Sequence, residues 1–224
     1  QSKGTTMNIW NSLVCVVVVG FLSTQVNFAI AQDDESIYGT YSVVFQTGQS
    51  GGELHSCTMV YTAMQADYAY KNGNPIMING NISLRQFNGK NMILTLKIGV
   101  KDFGAPNSQF TRPYFAYLQT PNVTTVKSST KIGDGDEGYR LIVIDINDTT
   151  EKLLIEMLES GKVTIGFNRE KGGLDVIVPI DLKVFDAEYQ SSGKVIRKRS
   201  DETIIQFIGC YKELLGMDSK DVTK

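Results

Sequence analysis

Apolar and polar positions alternate along most of the chain, with a period of two, and this pattern predicts strands. "SIYGTYSVVFQT" (36–47) is rich in β-branched and aromatic residues and ends at "GQSGG". "ELHSCTMVYTA" (53–63) follows, with His55, Cys57 and Met59 on one face and Leu54, Ser56 and Thr58 on the other. The two stretches predict a hairpin. "GNISLRQF" (80–87) and "NMILTLKIGV" (91–100) flank Asn88-Gly89-Lys90, a turn signal that predicts a second hairpin. Met92, Leu94, Leu96 and Ile98 give that hairpin one continuous apolar face, so one side is expected to pack and the other to meet solvent.

Further strands are expected at "YFAYLQT" (114–120), "YRLIVIDI" (139–146), "KVTIGFNR" (162–169) and "LDVIVPI" (174–180), the last two joined by "EKGG". Pro179 removes a ladder donor, so its strand belongs at a sheet edge or ends there. The loop "KDFGAPNSQFTRP" (101–113), with two prolines and a glycine, is the longest irregular connection and a place for strand crossing or ligand contact. "DLKVFDAEY" (181–189) is expected to leave the sheet, and "RKR" (197–199) reads as a solvated, cleavable loop.

Two segments change to helical spacing. Leu153, Leu154, Met157 and Leu158 share a face, Asp148 and Glu151 form a capping pair, and Gly161 supplies the stop, which predicts a helix over 149–160. Ser200 caps a second helix near 201–215, with Ile204, Phe207, Ile208, Tyr211 and Leu215 as its stripe and Cys210 on or beside it. The expectation is a mainly β, antiparallel, sandwich-like domain with one inserted helix and one C-terminal helix.

The start of the chain adds a compartment. After Met7, the ten-residue apolar run "LVCVVVVGFL" (13–22) and then Ala29-Ile30-Ala31 match an export signal with cleavage after Ala31. The run is shorter than the roughly 20 residues that a membrane span needs. Retention as an uncleaved anchor is the rival reading. Residues 1–31 are thus expected to be a leader, and 32–224 a single periplasmic or secreted domain without an integral span.

Charge excludes one class of partner. The chain carries 22 Lys and Arg against 24 Asp and Glu, a net charge of -2, which gives no broad attraction to nucleic acid. Of the three cysteines, Cys15 would leave with the leader, and Cys57 and Cys210 would remain. In an oxidising space an even pair predicts one disulfide; two unpaired buried thiols are the alternative. A nucleophilic cysteine is disfavoured because His55 is the sole histidine in the chain.

No metal, cofactor or catalytic set emerges from the residue pattern. "DGDEG" (134–138) fails the calcium-loop template, since Gly138 stands two beyond Asp136, and it reads as a turn. Asp145 with Asp148, or Asp181 with Asp186, would suit an exported hydrolase if either pair converged within about 5 to 10 Å. The favoured function is a non-enzymatic module that binds a protein or envelope partner through a sheet face, a strand edge or the 101–113 loop. The aromatics of "YAY" (68–70) and "YFAY" (114–117) are its candidate contacts, with a half-buried place in the core as the alternative. The sequons at Asn81, Asn122 and Asn147 are given no role.

"LLIEMLESGKVTIGF" (153–167), the hairpin after it and "VPIDLKVFDAEY" (178–189) resemble the secreted invasion-associated locus B family of bacterial envelope proteins. Val184-Phe185 followed by Ala187 stands where that family has Gly-Phe-x-x-Ala, and "YSVVFQT" lacks the family's Trp and Cys. "FIGCYKELL" (207–215) is similar to a wider group of exported bacterial proteins that end in a Phe-x-x-Cys helix. The resemblance implies an all-β sandwich outside the cytoplasm with no known catalytic site. It transfers no functional residue.

Overall fold

The computed structural model describes residues 36–87, 91–104, 108–125 and 130–217. The expected leader (1–31, with Met7, Cys15 and Ala31), the turn Asn88-Gly89-Lys90, part of the 101–113 loop and residues 126–129 lie outside the described residues.

The fold is mainly β and antiparallel. β1 (Gly39–Ser50), β2 (Glu53–Asp67), β3 (Asn74–Phe87) and β4 (Asn91–Asp102) pair in sequence order, and β7 (Arg140–Asp145) and β6 (Thr130–Asp134) extend the sheet in the order β1-β2-β3-β4-β7-β6. A second sheet holds β5 (Phe115–Gln119), β8 (Lys162–Asn168) and β9 (Val176–Asp181), and a two-stranded ribbon holds β10 (Val184–Tyr189) and β11 (Val195–Arg199). The helices are α1 (Asp148–Ser160) and α2 (Glu202–Leu214). Pro179 lies in β9, the outer strand of its sheet, where its missing N–H costs no central ladder bond.

Register explains the core. Cys57↔Leu84↔Leu94, Met59↔Ile82↔Leu96 and Ala63↔Ile78↔Val100 set apolar side chains in rows on one face of the six-stranded sheet. These residues are buried together with Phe115, Ala116 and Leu118 of β5, Val163, Ile165 and Phe167 of β8, and Val176, Val178 and Ile180 of β9. α1 adds Leu153, Leu154 and Met157 to the same cluster.

The outer face of the large sheet differs from the expected solvent face. Thr58, Ser83 and Thr95 sit side by side on it and are nonetheless buried, with the Thr58 and Ser83 hydroxyls 2.8 Å apart. They are shorter than their same-face neighbours Arg85, Ile93 and Lys97, and they satisfy one another.

Several local expectations are corrected by packing. α1 begins one residue earlier than its acidic pair suggests, because Asn147 Oδ1 accepts from the amides of Thr149 and Thr150 and Asp148 becomes the first helical residue. The α2 stripe is Thr203, Ile204, Phe207, Cys210 and Leu214, so Leu215 lies outside and is exposed. "YAY" is the turn between β2 and β3, where Asp67 Oδ1 accepts from the Tyr70 amide and Gly73 has φ 85°. "RKR" is the strand β11: Arg197 is buried and donates to the carbonyls of Ser36, Tyr38 and Thr40. Its neighbour Arg199 donates to Asp181, and Lys198 pairs with Asp186 and Glu188. "DGDEG" is the β6–β7 turn, with Asp134 held by Arg112 and Arg140 and Asp136 by Lys97.

One glycine position is fixed by a neighbour's ring. Gly80 opposes Tyr61 on β2 and Ile98 on β4, and the Tyr61 ring crosses it so that the hydroxyl donates to the Lys97 carbonyl at 3.0 Å. A Cβ at Gly80 would lie 1.9 Å from that carbonyl oxygen and 2.7 Å from the Tyr61 hydroxyl. Gly80→Ala is therefore expected to cost at least about 3 kcal/mol in urea unfolding. Tyr61→Phe, which deletes only the hydroxyl, is expected to cost about 1 kcal/mol. A Gly80→Ala protein as stable as the parent would contradict this packing.

Candidate functional site

Cys57 lies on the inner face of β2 and Cys210 on the buried side of α2, and a disulfide joins them with Cα atoms 5.9 Å apart. The bond closes a separation of 153 residues, for which the chain-entropy model gives roughly 5 kcal/mol as an upper value. α2 is anchored on three strands: Thr203 Oγ1 donates to the Val43 carbonyl of β1, Cys210 is bonded to β2, and Gln86 Nε2 of β3 donates to the Leu214 carbonyl.

The carboxylates of the two candidate pairs each contact other groups. Asp145 is exposed and 3.8 Å from Lys131, whereas Asp148 opens α1. Asp181 is buried, accepting from Arg199 Nε and the Lys183 amide, and Asp186 pairs with Lys198 on the ribbon. His55 is exposed. Among the described residues no group of three His, Cys, Asp or Glu is placed to hold a metal ion.

A different set of side chains converges at the loop between β8 and β9. Arg169 lies 2.7 Å from Asp102 and 2.9 Å from the fully buried Asp67, and its guanidinium is 5.9 Å from the Tyr70 ring centre. Burial pushes the Asp102 carboxyl up, but hydrogen bonds from Arg169 and Lys71 hold it below the usual range. Tyr70 Oη donates to the Leu174 carbonyl at 2.6 Å and accepts from the Arg169 amide at 3.3 Å. Gly173 is required beneath it, because a Cβ there would lie 2.2 Å from the Tyr70 hydroxyl. These contacts tie the 169–175 loop to the β2–β3 turn and to the end of β4.

The fixed loop forms one wall of a groove of about 620 Å³. Tyr114 and Phe115, at the start of β5, and Ile132, on the outer strand β6, line it with Asn168, Lys171, Leu174 and Asp175. Three of its large apolar side chains are open to solvent: Tyr114 is 40% exposed, Ile132 48% and Leu174 71%. Beside it Asn168 Nδ2 donates to Asp175 Oδ1 at 3.1 Å, and Tyr117 Oη donates to Asp175 Oδ2 at 3.0 Å. Asn168 is 8% exposed, and its Oδ1 is buried without a hydrogen-bond partner.

Tyr117 reaches Asp175 by crossing Gly166, its register partner, where a Cβ would lie 2.1 Å from the ring. Burial, and then the Asp175 carboxylate, push the Tyr117 phenol up to about 12. The sequence singles out "YFAY" and "EKGG" but not Asn168 or Asp175. Their one local sign is Gly166, a glycine inside an apolar strand, which marks close approach by another group.

Replacing Cys57 or Cys210 by Ser is expected to lower stability by about 2 to 5 kcal/mol, and the disulfide-bonded protein should lose the same amount on reduction. Equal unfolding midpoints with and without reductant would contradict the role given to the bond. A second expectation concerns pH. Tyr61 and Tyr117 have folded-state pKa values above the unfolded value of about 10, so their contribution is present below about pH 10 and declines above it, that of Tyr117 being lost as pH rises toward about 12. Urea midpoints measured across that interval should fall, and should fall less in Tyr117→Phe; an identical slope in the variant would count against the Tyr117 environment.

Family models, curated proteins and solved structures were compared with the chain, and none matches it.

Proposed function

We propose that this protein is a non-enzymatic binding module of an oxidising space outside the cytoplasm, periplasmic or secreted, and that the groove beside the β8–β9 loop is its contact site. The observation that carries the reading is the groove itself, along which Asn168 and Asp175 are held in place by hydrogen bonds to each other and to Tyr117. The apolar rim points the same way, since exposed aromatic and aliphatic side chains around a few fixed polar groups characterise binding sites. Export is supported by the leader pattern after Met7 and by the single cysteine pair. The invasion-associated locus B resemblance belongs to the same reading. The alternative of a carboxylate hydrolase draws less support, because Asp145, Asp181 and Asp186 are each paired with a cation.

Amide hydrogen exchange of the oxidised full chain, with and without a bacterial envelope extract, tests the proposal. Slower exchange across 114–115 and 168–175 is expected. Unchanged exchange throughout would overturn the binding assignment, and turnover of ester, phosphate or glycoside substrates that is lost in Asp181→Asn would overturn the non-enzymatic one.

A further inference from the structure

We infer that Asn122 and Asn147 are acceptor sites for an N-linked oligosaccharide and that Asn81 is not, although all three stand in Asn-x-Ser/Thr triplets without a central proline. The inference rests on the reading of the chain as exported, because the sugar donor belongs to export pathways, and it adds a covalent modification outside the groove lining. In the transfer, the Asn side-chain nitrogen attacks the anomeric carbon of an oligosaccharide carried on a lipid pyrophosphate. A C–N bond forms, the bond from that carbon to the phosphate oxygen breaks, the lipid pyrophosphate leaves, and one amide proton goes to a base of the transferase. Two conditions fall on the fold. The Asn side chain and the hydroxyl two residues on must be open to solvent, and the hydrogen bonds of the Asn must survive the loss of one N–H.

Asn122 meets both conditions. It lies in the turn after β5, it and Thr124 are exposed, and its Nδ2 bond to Glu156 Oε1 at 3.2 Å uses only one of the two amide hydrogens. Asn147 meets them through its other atom. It and Thr149 are exposed, and it caps α1 through Oδ1, which accepts from the Thr149 and Thr150 amides and stays a carbonyl oxygen once Nδ2 carries a sugar. Both sites stand beside α1, since Asn147 caps that helix and Glu156 belongs to it. Two bulky, solubilising groups would thus flank a helix that bears the exposed Ile155. Asn81 fails the first condition. It sits in the middle of β3, half-buried between Val60 of β2 and Lys97 of β4, and its Oδ1 accepts from the hydroxyl of Ser83 at 3.3 Å. Ser83 is fully buried, with its hydroxyl 2.8 Å from that of Thr58. A sugar on Asn81 would displace the neighbours that bury it, so a chain modified there should not reach the folded, secreted pool.

The test is peptide mass spectrometry of the full chain, isolated from its own cells and, in parallel, secreted with its own leader from insect cells. Digestion with peptide-N-glycosidase in heavy-oxygen water marks each former sugar site as a labelled aspartate. Marks at Asn122 and Asn147 and none at Asn81 are expected in both preparations. Asn122→Gln and Thr149→Ala should each remove one sugar, and the double variant should carry none. Thr149→Ala keeps Asn147 in place as the α1 cap, so its urea midpoint should match that of the enzymatically deglycosylated parent; this separates loss of the acceptor from loss of the helix. A secreted protein bare at Asn122 or Asn147, or marked at Asn81, would overturn the inference and leave the export reading standing. A chain kept inside both kinds of cell, unmodified and with its leader uncut, would overturn both.

Discussion

The bond between Cys57 and Cys210 is the constraint on which the arrangement of the C-terminal part depends. α2 buries Thr203, Ile204, Phe207, Cys210 and Leu214, and at its start Ser200 Oγ accepts from the Glu202 amide, while Asp201 in the N-cap position makes no side-chain cap bond. A helix of 13 residues is marginal without tertiary anchoring. The disulfide fixes its middle turn on β2, and the contacts at Val43 and Gln86 then set its direction across β1 and β3. It also decides which face is buried: with Cys210 turned inward, Phe207 and Leu214 follow by helical spacing, and Leu215 is left outside.

A second device recurs in the sheets and in the turns beside them. Tyr61 crosses Gly80, Tyr117 crosses Gly166, Tyr139 packs on Gly99 and Tyr70 lies against Gly173. In each pair the absent side chain gives a ring room to lie flat, and the phenol reaches a fixed partner: the Lys97 carbonyl, Asp175, Asn79 and the Leu174 carbonyl in turn. The ring buries apolar surface while the hydroxyl stays satisfied, which is the condition for holding a tyrosine inside a sheet. Two of the four pairs shape the groove: Tyr70 with Gly173 holds its loop, and Tyr117 with Gly166 holds Asp175.

The groove lies among β5, β6 and the β8–β9 loop, whereas the covalent clamp joins β2 to α2. The polar groups that hold its loop are paired, from Arg169 with Asp67 and Asp102 to Asp175 with Asn168 and Tyr117. Pre-positioned groups of this kind spare a ligand the cost of ordering them.

By itself the sequence determined the mainly β class, both hairpins, the two helices and the pair of cysteines, because period-two alternation, turn residues, caps and residue counts are local signals. It misplaced what non-local contacts govern. "RKR" reads as a loop since three charges look solvated, yet Arg197 is drawn in by three main-chain carbonyls from the start of the described chain. β6 holds one large apolar residue, Ile132, with no alternation to announce a strand, and its five residues pair with β7. The groove was invisible for the same reason: Asn168 and Asp175 are ordinary polar residues of a hairpin until Tyr117, from a strand some fifty residues earlier, crosses Gly166 to meet them. Chain folding alone brings such groups together, since their spacing in sequence carries no record of their distance in space.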